Sequence, residues 1–107
     1  MSTINTTLTA NSLNNIIIGD ITTDEGIIIN YSCSRGSLYS SGRIKVLSKV
    51  TSADVEHRWF GDDPGIDTVA SPMAADISGN NIRLNITVDA SDANDVTFNY
   101  NLEIIKL

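Results

Sequence analysis

"GIIINYSCSRG", residues 26–36, is the stretch on which the reading of the fold turns. Taken at every second residue it separates into two sets. Ile27, Ile29, Tyr31 and Cys33 fall on one side, and Ile28, Asn30, Ser32 and Ser34 on the other. Successive side chains of a strand point to opposite faces, so this is a strand with one apolar face. Its isoleucines are β-branched, which suits a pleated surface better than a helix. Arg35 and Gly36 then close it, the glycine allowing a turn that a β-carbon resists. Arg35 is placed to pair with an acidic loop.

The same alternation extends in both directions. In "RIKVLSKV", residues 43–50, Ile44 and Val46 oppose Arg43 and Lys45, and the link "SRGSLYSSG", residues 34–42, makes a hairpin or meander. "ADVEHRWF", residues 53–60, sets Val55, His57 and Trp59 against Glu56, Arg58 and Phe60. Ile82, Leu84, Ile86 and Val88 alternate with Asn81, Arg83, Asn85 and Thr87. Val96, Phe98, Tyr100, Leu102 and Ile104 alternate with Thr97, Asn99, Asn101 and Glu103. Upstream the signal weakens. Residues 3–12 alternate through Ile4, Thr6, Leu8 and Ala10, an edge or arm strand, and "NNIIIGD", residues 14–20, is a strand or an extended connection. "TTDEG" (22–26), "GDDPG" (61–65) and "SGNN" (78–81) are turns. "DTVASPMAADIS", residues 67–78, contains Pro72, which is compatible with an edge strand or bulge only.

Short alternating strands separated by turns describe an all-β fold, an antiparallel two-sheet β-sandwich of jelly-roll-like type. At 107 residues it is a single domain. Residues 1–25 form an N-terminal arm or edge strand, and 26–107 the sandwich core. The phase of alternation predicts that Ile27, Ile29, Tyr31, Ile44, Val46, Ile82, Leu84, Ile86, Phe98 and Leu102 are buried together.

Composition narrows the function. A hydrophobic share of 41% is enough for a core. The net charge of −6 speaks against nucleic acid, whose phosphates need Lys and Arg, and against a polybasic membrane contact. The longest apolar runs, Ile16 to Ile18 and Ile27 to Ile29, fall far short of the roughly 20 residues of a membrane span. "MSTINTTLTANS" lacks the basic region and apolar run of a signal peptide, so synthesis in a cytoplasm is expected. The single cysteine, Cys33, excludes an intrachain disulfide and reads as a small buried hydrophobe.

Chemistry is sparse. Nucleophilic catalysis usually needs a histidine base, and only His57 exists. It shares a strand face with Val55 and Trp59, so a packed histidine is the plainer reading. No serine lies in a G-x-S-x-G elbow. "GDDPGID" and "DASDAND" offer Asp62, Asp63, Asp67, Asp89, Asp92 and Asp95 as weak metal ligands. Neither has the spacing of a calcium loop, and aspartates favour turns for their own backbone bonding. No catalytic residue, metal or cofactor is assigned, and no enzyme activity is expected. Trp59 and Phe60 are the candidates for ligand contact, since an exposed aromatic can stack on a sugar. Ile4, Leu8, Ile28, Phe60 and Ile105 are the candidates for a subunit interface.

The order "I-x-I-N-Y-S-x-S-R-G", "S-G-R-I-K-V", "S-G-N-N-I-R-L-N-I-T-V" and "V-T-F-N-Y-N-L" resembles a β-rich module of tailed-bacteriophage virion proteins, from about Gly26 to Leu107. "DTVASPMAAD", with Pro72, departs from the pattern in the middle. The resemblance implies a structural or adhesive part of a virion, as a tail-fibre or appendage module or a capsid decoration. It also implies a homotrimer, other virion proteins as partners, and no catalytic residues. The alternative is a carbohydrate-binding sandwich that reads a host surface glycan. Neither reading involves nucleic acid or membrane insertion.

Overall fold

The inward side chains of residues 26–36 are buried: Ile27, Ile29, Tyr31, Cys33 and Arg35 are each no more than 5% exposed. They lie on the third of eight strands in a computed structural model, which describes residues 3–22, 26–49 and 51–105. The strands are β1 (Ile4–Leu8), β2 (Ser12–Asp20), β3 (Gly26–Arg35), β4 (Leu38–Ser48), β5 (Ala53–Gly61), β6 (Ala74–Ser78), β7 (Asn81–Val88) and β8 (Val96–Ile105). They form two antiparallel sheets, a five-stranded one in the order β1-β8-β3-β4-β5 and a three-stranded one in the order β2-β7-β6. This is the β-sandwich expected. The first and last strands pair with each other in the larger sheet, where β3, β4 and β5 form a plain meander, and β2, β6 and β7 make up the smaller sheet.

Register aligns the apolar phases. Ile27 faces Val46 and Ile104, Ile29 faces Ile44 and Leu102, and Cys33 faces Ser40 and Phe98. On the other sheet Ile16 faces Leu84, Asn14 faces Ile86, and Ile77 faces Ile82. The predicted core is therefore buried together, except that Leu102 is only partly covered. Tyr31 faces Gly42, and a β-carbon at Gly42 would lie 2.9 Å from the Tyr31 ring and hydroxyl. The absent side chain is what lets the tyrosine lie flat, 4.9 Å from the Phe98 ring centre.

Several elements differ from the sequence expectation in extent. The link after β3 is only two residues long, because Gly36 takes φ 59° and Arg35 pairs directly with Leu38. A positive φ at the first turn position matches the twist of the flanking strands. "NNIIIGD" belongs to a strand of nine residues with a bulge between Ile17 and Gly19. Pro72 lies outside β6, which is an edge strand. Within residues 1–25, β1 and β2 each occupy the edge of a sheet, and each sends a side chain into the core, Leu8 at 1% and Ile18 at 3% exposure. The "TTDEG" turn falls largely on residues 23–25, outside the described residues.

Candidate functional site

Toward the Tyr39 and Phe60 end, the outward phase of the large sheet consists mostly of small polar groups. Register places Asn5, Asn99, Ser32, Ser41 and Phe60 in one row across its five strands. The neighbouring row runs through Thr7, Thr97, Ser34 and Tyr39. Between them lies a groove of about 380 Å³, lined chiefly by Ser32, Ser34, Tyr39, Ser41, Phe60 and Asn99. Its two aromatic walls are open to solvent, Tyr39 at 67% and Phe60 at 73% exposure. Among the described residues, the side chains of Ser32, Ser34, Ser41 and Asn99 hold no hydrogen bond. The groove thus offers unoccupied hydroxyl and amide groups between two aromatic faces.

On the side away from Tyr39 the next row is Asn101, Asn30, Arg43 and Arg58. Asn30 Nδ2 donates to Asn101 Oδ1 at 3.4 Å, and Arg43 Nε donates to Asn30 Oδ1 at 3.4 Å. A second depression, lined by Ser41, Gly42, Arg43, Arg58, Trp59 and Phe60, adjoins the groove through Ser41 and Phe60.

The two aromatic candidates from the sequence separate here. Phe60 is a wall of the groove. Trp59 faces the inner side opposite Gly42, yet is 41% exposed, because three strands do not cover the margin of five. Tyr39 and the serines were not singled out from the sequence. The signal was present in the outward phases of the strands, but their convergence depends on cross-strand register.

Arg35 is the centre of a different construction. It is 1% exposed and ties two loops to the end of β3. Its Nη1 donates to the Asp89 carboxylate at 2.7 Å and the Pro64 carbonyl at 2.8 Å. Its Nε donates to the Asn94 carbonyl at 2.9 Å, and its Nη2 to the carbonyls of Asp89 and Asp92. Hydrogen bonds from Ser91, together with the Arg35 guanidinium, hold the Asp89 carboxyl below the usual carboxylate range. The acidic partner expected for Arg35 is therefore Asp89.

The aspartate clusters are consumed by the same loops. Asp62 accepts from Tyr39 N, Asp63 from Gly65 N, Asp92 from Asn94 N and Asp95 from Ala10 N. Among the described residues no three acidic, histidine or cysteine side chains converge as metal ligands.

His57 gains partners that its own strand does not supply. Tyr31 Oη lies 2.6 Å from its Nε2, and Asp67 Oδ2 lies 2.8 Å from its Nδ1. Asp67 accepts with its other oxygen from Met73 N at 2.8 Å. A carboxylate only accepts, so Nδ1 carries a proton and donates to Asp67, and in the neutral ring Nε2 accepts the tyrosine hydroxyl. Burial, with the nearby Cys33 and Asp67, pushes the Tyr31 hydroxyl well above the ordinary phenol range. Burial also pushes the Cys33 thiol up, which keeps it neutral, 3.1 Å from Ser40 Oγ.

Of the interface candidates, Ile4 is 42%, Phe60 73% and Ile105 37% exposed, and Ile28 is half-buried. Leu8 is corrected. It opposes Val96 on the inner phase of β1 and is a core residue with no surface to offer a neighbour.

No family model and no curated protein matches this sequence. Solved structures do match. The tailspike protein of Acinetobacter phage vB_ApiP_P1 is similar over 95% of this chain and 21% of its own, with TM-score 0.57 and 14% identity. A second is the tailspike protein gp49 from Acinetobacter baumannii bacteriophage Fri1, a capsular polysaccharide depolymerase. It aligns over 94% of this chain and 16% of its own, with TM-score 0.48 and 12% identity. The chain thus spans about a fifth of the length of the first tailspike, with which it shares a fold. The likeness to the first tailspike is one of fold.

The expectation that the chain is not an enzyme is withdrawn, because the Fri1 protein is a depolymerase. That expectation rested on a single histidine, on the lack of a serine elbow and of a metal-ligand spacing, and on the resemblance to phage modules.

Proposed function

We propose that this chain is a module of a phage tail appendage that binds a host surface glycan on the outer face of the five-stranded sheet and assembles as a homotrimer in the virion. The observation that carries the reading is the groove, where unoccupied Ser and Asn side chains lie between exposed Tyr39 and Phe60 rings. Sugars present hydroxyls around their rim and C–H groups on their faces. Hydroxyl and amide side chains match the first, and aromatic rings match the second. The fold shared with a phage tailspike is compatible with this placement. The carbohydrate-binding alternative and the virion role therefore merge into one reading, with a tail appendage preferred to a capsid decoration. Residues 1–25 serve as the assembly segment through the free edges of β1 and β2.

The test is titration with polysaccharide purified from the surface of the phage host, followed by calorimetry. Phe60→Ala should weaken binding at least tenfold. Phe60 is exposed, so the melting temperature should stay within a few degrees. Equal affinity of wild type and Phe60→Ala would remove the groove from the function.

A further inference from the structure

We infer that the glycan bound on this face is acidic, with its anionic group held by Arg43 and Arg58 beside the aromatic groove. The inference rests on the glycan reading above and adds the class of sugar. Arg43 and Arg58 are direct cross-strand partners of β4 and β5 on the same outer face. Like charges directly opposite each other destabilise a sheet. The chain has 7 Lys and Arg against 13 Asp and Glu, so an unlike partner was the commoner choice for either position.

Local compensation is slight. Arg58 Nε lies 3.4 Å from Glu56 Oε1, with side chains 84% and 57% exposed. Such a surface pair is worth about 0–1 kcal/mol. Arg43 donates only through Nε, to a neutral amide. Among the described residues the Nη groups of both guanidiniums have no protein acceptor. Protection of a sheet edge by charge would account for Arg58 on β5, but Arg43 lies on the interior strand β4.

Both arginines line the depression that adjoins the groove at Ser41 and Phe60. Their row lies two residues along the strands from the row of Ser32 and Ser41, roughly 7 Å away. That is within reach of a carboxylate on the same or the next sugar. The planar guanidinium forks suit a carboxylate, which accepts bidentate pairs.

The experiment is amide chemical-shift mapping on the full chain with a panel of acidic oligosaccharides: galacturonate, hyaluronate and sialylated forms. Carboxyl-reduced counterparts and inorganic phosphate are titrated in parallel. An acidic sugar should shift Ser32, Ser41, Arg43 and Arg58 together, and its reduced form should bind roughly tenfold more weakly. Arg43→Gln and Arg58→Gln should each weaken the acidic sugar roughly tenfold, as expected for loss of one charged hydrogen-bonding partner. They should leave the reduced sugar unchanged. Both side chains are exposed, and the free-state spectra check that the variants remain folded.

Equal binding of acidic and reduced sugars, unaffected by either variant, overturns the acidic preference and leaves the glycan reading intact. Phosphate binding as tightly as the sugars overturns the inference in favour of a bare anion site. A panel in which no sugar of either kind shifts these residues overturns the inference and the glycan reading together.

Discussion

Arg35 shows how one residue can organise a region distant in sequence. Its guanidinium gathers carbonyl oxygens from both aspartate-rich loops and one carboxylate, so it occupies the place a bound cation would take. Replacement by Met keeps much of the volume and leaves those acceptors without a donor. Breaking a buried charged network of this kind costs about 3–5 kcal/mol. Arg35→Met is therefore expected to lower the unfolding free energy by about that amount in denaturant titration. A loss below 1 kcal/mol would show that the loops hold without it. The same knot gives an acid limb. The folded Asp89 carboxyl titrates below its unfolded value of about 3.9. Its contribution is present above that value and is lost as pH falls through the folded one. Stability should therefore fall from about pH 4 downward, and Asp89→Asn should flatten that fall in melts between pH 2 and 6. A residual slope is expected from Asp76 and Asp20, which are lowered by hydrogen bonds from Arg83 and Thr22 respectively.

The strands differ in how plainly they are written. β3, β7, β8 and the second half of β4 combine strict alternation with β-branched or aromatic inward residues and were legible from the sequence, whereas Leu38 to Gly42 at the start of β4 read as a link. β6 was not, because Ala74, Ala75 and Asp76 give little contrast between faces and Pro72 obscures the start. β2 was half legible, since its bulge at Ile17 interrupts the pairing. Within the β3–β4 pairing one contact is tight, Tyr31 against Gly42. A methyl at Gly42 would lie 2.5 Å from the Arg58 carbonyl oxygen as well as against the tyrosine. Gly42→Ala is expected to cost about 1–3 kcal/mol by overpacking. It should also shift the Tyr31 and His57 side-chain resonances. Unchanged melts and spectra would mean that β4 and β5 separate there at little cost.

For the whole molecule, the sheet edges are where the proposed trimer would form. β2 is nine residues long, has no charge before Asp20, and exposes Leu13 at 61% and Ile17 at 62%. Native edges are commonly guarded by charge, brevity or a bulge, and β2 has only the last. A neighbouring copy can add a strand there. The homotrimer is expected as a trimer mass by light scattering at micromolar concentration. Ile17→Lys, which places a charge on the exposed face of that edge, should return the monomer with its fold intact. Deletion of residues 1–21 is the wrong test, since it would remove Leu8 and Ile18 from the core. A monomer mass for the unaltered chain would end the trimer reading without touching the groove.

The sequence by itself determined the fold class and most of the core, because alternation at a period of two is local and commits each side chain to a face. It also placed Phe60 outward and Arg35 beside an acidic loop. The tertiary structure alone decided the candidate site. Ser32, Ser41, Asn99 and Phe60 come from four strands of the large sheet, and Tyr31, His57 and Asp67 are equally scattered along the chain. Their convergence is fixed by sheet order and register, which depend on long-range pairing. A local pattern carries no record of that pairing, so a serine on an outward phase reads the same whether it faces open water or floors a groove.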